Sequence, residues 1–392
     1  MPSYKYLIIG GGMTADAAIA GIREVDPNGS IGLISDESHP PYNRPPLSKG
    51  LWKGKPLEAI FRQSSKGNAQ IHLGRNAETI DPQSKQVVDD QGQSYGYEKL
   101  LLATGGSPRK LPFGGDEVIY YRTLDDFQRL RPLAENSSRF AVIGGGFIGS
   151  ELASALRNQG QEVVMLFPED GIGSTLFPAD LASFLNDYYR GKGVEVLAGE
   201  LVSDIDQRGV EFAVKTKSGR EIVVDHVIAG IGILPNTSLA EATGIEVDNG
   251  IVVDKYLGTS QTDIFAAGDV ANVYNPVLDR RQRVEHEDNA LTGGHAAGRN
   301  MAGQATPYEH LSSFYSDLFD LGYEAVGDLN PNLETVSDWQ EPFKKGVVYY
   351  LDQGHLRGVL LWNVWDQVDS ARRLITEPGP FTSENLKGRL PE

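Results

Sequence analysis

Leu7-Ile8-Ile9-Gly10-Gly11-Gly12-Met13-Thr14-Ala15 and Phe140-Ala141-Val142-Ile143-Gly144-Gly145-Gly146-Phe147-Ile148-Gly149 decide the fold. Each is an apolar run that closes on three glycines and opens into a stretch with helical patterning. The first continues through an Ala-rich segment to Arg23, then an apolar run from Ile31 to Ile34 that ends in Ser35-Asp36-Glu37. The second continues to about Asn158, then runs from Glu162 to Phe167 and ends in Pro168-Glu169. Strand, glycine turn, helix and strand in that order make a βαβ unit, and the chain carries the unit twice. The fold class expected is α/β, with two Rossmann-like domains followed by a smaller α+β domain.

The spacing carries chemistry. Gly10-x-Gly12-x-x-Ala15 supplies a tight turn, a backbone bare enough for a pyrophosphate to approach, and a small residue where helix and strand pack. Met13 and Thr14 open the helix, whose free N–H groups face the phosphates. Asp36, at the end of the next strand, is placed to accept both ribose hydroxyls; a solvated acidic turn is the plain alternative. Gly144-x-Gly146-x-x-Gly149 is the three-glycine form, with Glu169 at the ribose position and Asp170 after it. A 2′-phosphate would meet two carboxylates there, which favours NADH over NADPH. Two fingerprints imply two dinucleotides, one a held flavin and the other a transient nicotinamide.

Similar closings follow each unit, at Leu100 to Gly106 and at Val227 to Gly232. Ile264 to Val270 reads as a further buried strand ending in Gly268-Asp269, a carboxylate fit for a flavin ribityl chain or pyrophosphate, or else a simple turn. A helix is expected from His286 to about Asn300. Beyond Ser312 the pattern turns to short strands, Gly346 to Leu351 and Leu356 to Leu361, with a helix near Asp366 to Leu374. Arg280, Arg281 and Arg283 read as a loop of local ion pairs, and Trp362 and Trp365 as packing.

Composition narrows the function. A net charge of -17 works against nucleic acid or an anionic membrane as partner. The chain has no cysteine, which removes disulfide exchange, thiolate zinc sites and Cys-ligated iron-sulfur clusters. No metal site is expected, and any redox chemistry must sit on a non-thiol cofactor. No apolar run approaches the roughly 18 to 20 residues of a membrane span, and Met1 to Tyr6 lead straight into a strand, so a cytoplasmic protein is expected.

Beyond these motifs the chain resembles the apoptosis-inducing factor branch of the FAD/NAD-dependent oxidoreductases with a glutathione-reductase-like fold. The likeness rests on PPLSKGLW at 45–52, GGGFIGSELASAL at 144–156, LFPE at 166–169, AAGDVANVY at 266–274, VEHEDNA at 284–290, GYEAVG at 322–327 and LWN at 361–363. It implies a discontinuous FAD domain (1–112 and 244–305), an NAD domain (113–243) and a C-terminal domain (306–392). It places Asp36, Glu37, Arg44, Lys49, Arg122, Asp269, His286 and Glu287 where the family contacts FAD. Gly145, Gly146, Phe147, Ile148, Glu169, Gly232, Glu285, Glu324 and Asn363 fall where it contacts NAD, with Phe147 stacked on the nicotinamide. Lys49 and Glu151 match a family ion pair beside the flavin, with Glu151 in the first turn of its helix and favoured by the dipole. The helix opening at His286 would turn its positive end toward the flavin.

The departures matter too. Tyr315-Ser316-Asp317 stands where the animal proteins have Trp-Ser-Asp, so an aromatic lid is kept but is smaller. A basic residue after LFPE corresponds to Thr175, and Trp339 to Lys345 is a short bridge in place of a long insertion. A mitochondrial leader and a basic surface are not expected here, so DNA binding and a cell-death role are not carried over. Three readings stay open: an NADH:acceptor oxidoreductase with a long-lived reduced flavin–NAD complex, a reductase for a small electron-transfer protein such as ferredoxin or rubredoxin, and a signalling module whose homodimerisation answers NADH.

Overall fold

The computed structural model describes residues 1–63, 67–135 and 139–390. They form two compact units: residues 1–44, 56–107 and 234–312 make one, and residues 45–55, 108–233 and 313–392 the other.

In the first unit the strands Ala69–His72, Ile31–Ile34, Ser3–Ile9, Ser94–Leu102 and Ile264–Ala266 pair in parallel in that order. The hairpin strands Ala77–Asp81 and Gln86–Asp89 extend the sheet in antiparallel fashion. Leu7, Ile8, Leu100, Leu101 and Leu102 are wholly buried, as a parallel sheet covered on both faces requires. Helix Met13–Val25 lies against helix Glu287–Met301 through glycines: a Cβ on Gly294 would fall 2.3 Å from the Thr14 carbonyl oxygen, and one on Gly298 2.1 Å from that of Ala18. The contact joins the start of the first helix to the middle of the second.

The second unit holds another parallel sheet, in the order Glu195–Ala198, Glu162–Phe167, Arg139–Ile143, His226–Ala229, Ile119–Tyr120. Its order reverses between Arg139–Ile143 and His226–Ala229, the position where open α/β sheets bind ligands. Val202–Arg208, Glu211–Thr216 and Glu221–Val224 form an antiparallel sheet. The C-terminal part is a five-stranded antiparallel sheet with Ser313–Leu318 at one edge, followed by Leu321–Gly327, His355–Trp362, Lys345–Asp352 and Glu334–Glu341. Helix Val368–Thr376 covers it.

The short link expected from Trp339 to Lys345 is a hairpin that joins strand Glu334–Glu341, near whose end Trp339 lies, to strand Lys345–Asp352. One local expectation shifts. Arg280–Arg283 is a strand paired with Ala271–Asn275. Its side chains divide: Arg281 donates to the carbonyls of Val253 and Asn272, and Arg283 pairs with Glu285 at 2.5 Å. Trp362 is fully buried, whereas Trp365 is 47% exposed, its ring edge lying over Gly322. Among the described residues no helix is long and apolar enough to cross a membrane.

Candidate dinucleotide sites

In the first unit, the turn after strand Ser3–Ile9 is tight because Gly10, at φ 110°, backs onto the Ala103 carbonyl oxygen, which a Cβ would approach to 2.2 Å. Gly11 lies equally close to Ser35, whose hydroxyl is buried with no hydrogen-bond partner. Gly12 caps helix Met13–Val25 without a side-chain hydrogen bond, and a Cβ there would meet nothing within 4 Å. An orphaned buried hydroxyl and free helical N–H groups beside an open glycine face are what a pyrophosphate would satisfy, so these residues fit a dinucleotide. Gly268, at φ 76°, presses on Thr14, which brings the Asp269 loop to the same helix start; Ala15 is fully buried in the packing.

Asp36 is exposed. Glu37 is engaged by the Arg44 guanidinium and by the Tyr42 hydroxyl at 2.6 Å. Burial works against the Arg44 charge, but the phenol of Tyr42 and the carboxylates of Glu37 and Asp269 outweigh it and raise its pKa. His286 is the N-cap of helix Glu287–Met301, with no capping hydrogen bond from its side chain. Burial pushes its imidazole down to about 4, against the opposing pull of Asp269 and Asp288. The ring is therefore neutral at pH 7, and the positive end there is the helix's own N–H groups.

In the second unit, Gly144 at φ 116° backs onto the Gly230 carbonyl oxygen (2.3 Å to a Cβ), Gly145 onto the Phe167 ring, and Gly149 onto the Gly144 carbonyl oxygen (2.0 Å). Gly146 is the N-cap of helix Phe147–Asn158 and has open space where a Cβ would stand. Gly232, exposed at φ 91°, closes the other side of the switch point. Glu169 is exposed after strand Glu162–Phe167, and its carboxylate has no ion-pair partner among the described residues. Phe147 meets Phe314 edge-on, with centroids 5.5 Å apart. Ile148 is partly exposed beside it.

Glu151 is the hub of this unit. Its carboxylate, 3% exposed, accepts from Lys49 Nζ at 2.6 Å, Ser316 Oγ at 2.5 Å and Ser48 Oγ at 2.5 Å. Lys49 Nζ also lies 5.1 Å from the centre of the Tyr315 ring, which is 40% exposed. Contrary to expectation, Glu151 lies beyond the first helical turn, which carries no acidic residue. The dipole fades within that turn, so the three donors hold the charge. Burial, then the Glu151 charge, push the phenols of Tyr189 and Tyr323 well up.

Glu324 pairs in register with Tyr315 across the sheet. Burial raises its carboxyl pKa, and its Oε2 is buried with no hydrogen-bond partner, an acceptor atom suited to an amide N–H. Asn363 differs: its Oδ1 accepts from the Gly322 N–H and its Nδ2 donates to the Lys344 carbonyl, both at 2.7 Å. The Arg122 backbone N–H donates to Asp126, which caps the following helix. Sequence reading missed Ser35, Ser48 and Ser316. The last two stand next to Lys49 and Tyr315, but only the fold reveals that both converge on Glu151.

Two glycine-bounded helix starts, each after a central strand of a parallel sheet and each open to a phosphate, define a protein that binds two dinucleotides. The sequence matches the pyridine nucleotide-disulphide oxidoreductase family over residues 4–294 and the C-terminal domain of mitochondrion-associated apoptosis-inducing factor over 297–342 and 337–377. Similar chains include apoptosis-inducing factor 1, mitochondrial, of Dictyostelium discoideum, 36% identical over 95% of this chain and 78% of that one. Putidaredoxin reductase of Pseudomonas putida is 32% identical over 82% and 79%. The putidaredoxin reductase–putidaredoxin covalent complex superposes with a TM-score of 0.92 at 28% identity, covering 98% of this chain and 96% of that one. The chain belongs to the pyridine nucleotide-disulphide oxidoreductase family, in its apoptosis-inducing-factor-like form, and is an FAD-dependent oxidoreductase that uses NAD(H). Having no cysteine, it lacks a redox disulfide.

Proposed function

We propose that the chain oxidises NADH, reduces its own FAD and passes the electrons to a separate acceptor, with the domains divided as 1–112 with 244–305, 113–243 and 306–392. The observation that carries this reading is the pair of open helix N-termini at Gly12 and Gly146, one in each unit. FAD is assigned to the first unit, where the Ser35 hydroxyl and the helix starts at Met13 and Glu287 bind it and Asp36, Glu37, Arg44 and Asp269 orient it. NADH is assigned to the second. There Gly145, Gly146 and Ile148 receive the pyrophosphate, Glu169 the adenosine ribose and Glu324 Oε2 the carboxamide, while Phe147 flanks the nicotinamide. Bound flavin supplies the hydride acceptor, so no protein acid or base is required. The Lys49 ammonium, held by Glu151 and flanked by Tyr315, presents fixed positive charge.

The exposed, unpaired carboxylate of Glu169 supports NADH over NADPH. Similarity to putidaredoxin reductase supports a small electron-transfer protein as acceptor. An NADH-dependent homodimer is the rival reading, and sedimentation with and without NADH tests it. Anaerobic stopped-flow mixing of the yellow protein with NADH and with NADPH tests the main one. Faster bleaching by NADH is expected; protein purified without flavin overturns it. Rapid reoxidation by a ferredoxin selects the reductase, and a long-wavelength band persisting in air selects the apoptosis-inducing-factor-like behaviour.

A further inference from the structure

We propose that Ser316 is a positioning residue that locks the Lys49 ammonium to the Glu151 carboxylate and so fixes the charge and the Tyr315 ring as one rigid assembly. The proposal rests on the preceding reading only in giving that assembly a flavin to act on.

Ser316 is fully buried, and its hydroxyl bonds Glu151 Oε1, the same oxygen that receives Lys49 Nζ. Ser48 occupies Oε2. Both oxygens are thus engaged by donors from two other chain segments, which leaves the carboxylate no freedom to rotate away from the ammonium. Charge-assisted bonds of 2.5–2.6 Å are the strong kind, and a buried carboxylate needs them all.

The strand that carries Ser316 makes this tie consequential. Ser313–Leu318 is an edge strand, bonded to a neighbour on one side only. Beside the Phe147–Phe314 ring contact, two hydrogen bonds fasten it to helix Phe147–Asn158: that of Ser316 to Glu151, and that of the Phe319 N–H, just past the strand, to the Ser154 hydroxyl at 3.1 Å. Tyr315, the residue before Ser316, faces the ammonium at 5.1 Å. Loosening Ser316 therefore releases Lys49 from its carboxylate and from its ring together, whereas loosening Ser154 releases only the strand end. The two ties separate positioning from mere anchoring.

The test is competitive acylation of Lys49 by acetic anhydride at one fixed pH, read by peptide mass spectrometry on flavin-loaded and flavin-stripped protein. Ser316→Ala is expected to raise Lys49 labelling about tenfold, the scale of one hydrogen bond to a charged group. Ser316→Thr, which keeps the hydroxyl, is expected to stay within about twofold of wild type, and Ser154→Ala to leave labelling unchanged. In flavin-loaded Ser316→Ala the flavin midpoint potential shifts, and Ser316→Thr restores it. Unchanged labelling in Ser316→Ala overturns the proposal, as does an equal rise in Ser154→Ala. Should Ser316→Ala fail to fold, Ser48→Ala takes its place: raised labelling supports the shared lock and wild-type labelling overturns it. A protein that holds no flavin defeats the functional reading yet leaves the labelling comparison intact.

Discussion

Two alanine substitutions one helical turn apart should fail in opposite ways. At Gly149 a Cβ would stand 2.0 Å from the Gly144 carbonyl oxygen and 2.9 Å from its carbon, well inside the ~3.5 Å of a relaxed contact. Both atoms are backbone, so relief requires helix Phe147–Asn158 to back off from a sheet against which Leu152 and Leu156 are fully buried. Overpacking of this kind costs about 1–3 kcal/mol, or roughly 2–12 °C of melting temperature at about 2–4 °C per kcal/mol. At Gly146 the backbone is extended (φ -84°, ψ -163°) and a Cβ meets nothing within 4 Å. Reduced freedom of the unfolded chain offsets the poorer cap, so stability should change by less than about 1 kcal/mol. The added methyl occupies the space through which a pyrophosphate reaches the helix N–H groups, and loss of one charged hydrogen bond weakens NADH binding by about tenfold or more. Thermal unfolding by circular dichroism and NADH titration by fluorescence quenching, run on both variants, read the two effects. If Gly146→Ala bound NADH as the parent does, or if the two variants melted alike, the division of labour drawn from these glycines would be wrong.

Other substitutions probe the charges. Glu151→Gln strands the Lys49 ammonium, 13% exposed, beside a neutral amide; a broken buried pair costs about 3 kcal/mol, and adding Lys49→Met should recover part of it in a double-mutant cycle of denaturation midpoints. His286 sets an acid limit: its folded value of about 4 lies below the ordinary 6.5, so the unfolded chain takes up the proton first. That contribution is complete above about pH 6.5 and is lost as pH falls toward 4; the partly exposed ring makes about 3 kcal/mol an upper bound. Denaturation midpoints at pH 7 and pH 4 should converge in His286→Asn relative to the parent. Glu169→Ala should raise the KM for NADH about tenfold by removing a charged acceptor and narrow the NADH:NADPH ratio of kcat/KM, measured with ferricyanide as acceptor; an unchanged ratio would locate the discrimination elsewhere.

The two fingerprints were legible because local chemistry forces them. Gly10, Gly144 and Gly268 take φ values near 76–116° that side-chain-bearing residues avoid, and the apolar runs before the first two are buried on both faces of a parallel sheet. Period and composition therefore told the strands from the helices, and helix Phe147–Asn158 begins and ends where its pattern does. The short strand Arg280–Arg283 was not legible, since three arginines carry no strand signal; its backbone is captured by Ala271–Asn275. Trp365 packs over Gly322 as expected but stays 47% exposed, since apolarity in sequence cannot say which neighbour leaves a face uncovered.

Most instructive is the carboxylate at Glu151, which the sequence placed correctly and explained wrongly. A helix-dipole argument uses only distance along the chain, and along the chain Glu151 is one residue too far from Gly146 for that term to matter. What keeps a charge in this interior is through-space hydrogen bonding from Ser48, Lys49 and Ser316, more than a hundred residues away on either side. Burying a carboxylate without such donors would cost several kcal/mol, so these contacts are a condition for a fixed positive charge at Lys49. Serines are silent in composition and periodicity. They become functional here because the fold brings the chain segments at 45–55 and 313–318 to one face of the nucleotide-binding helix.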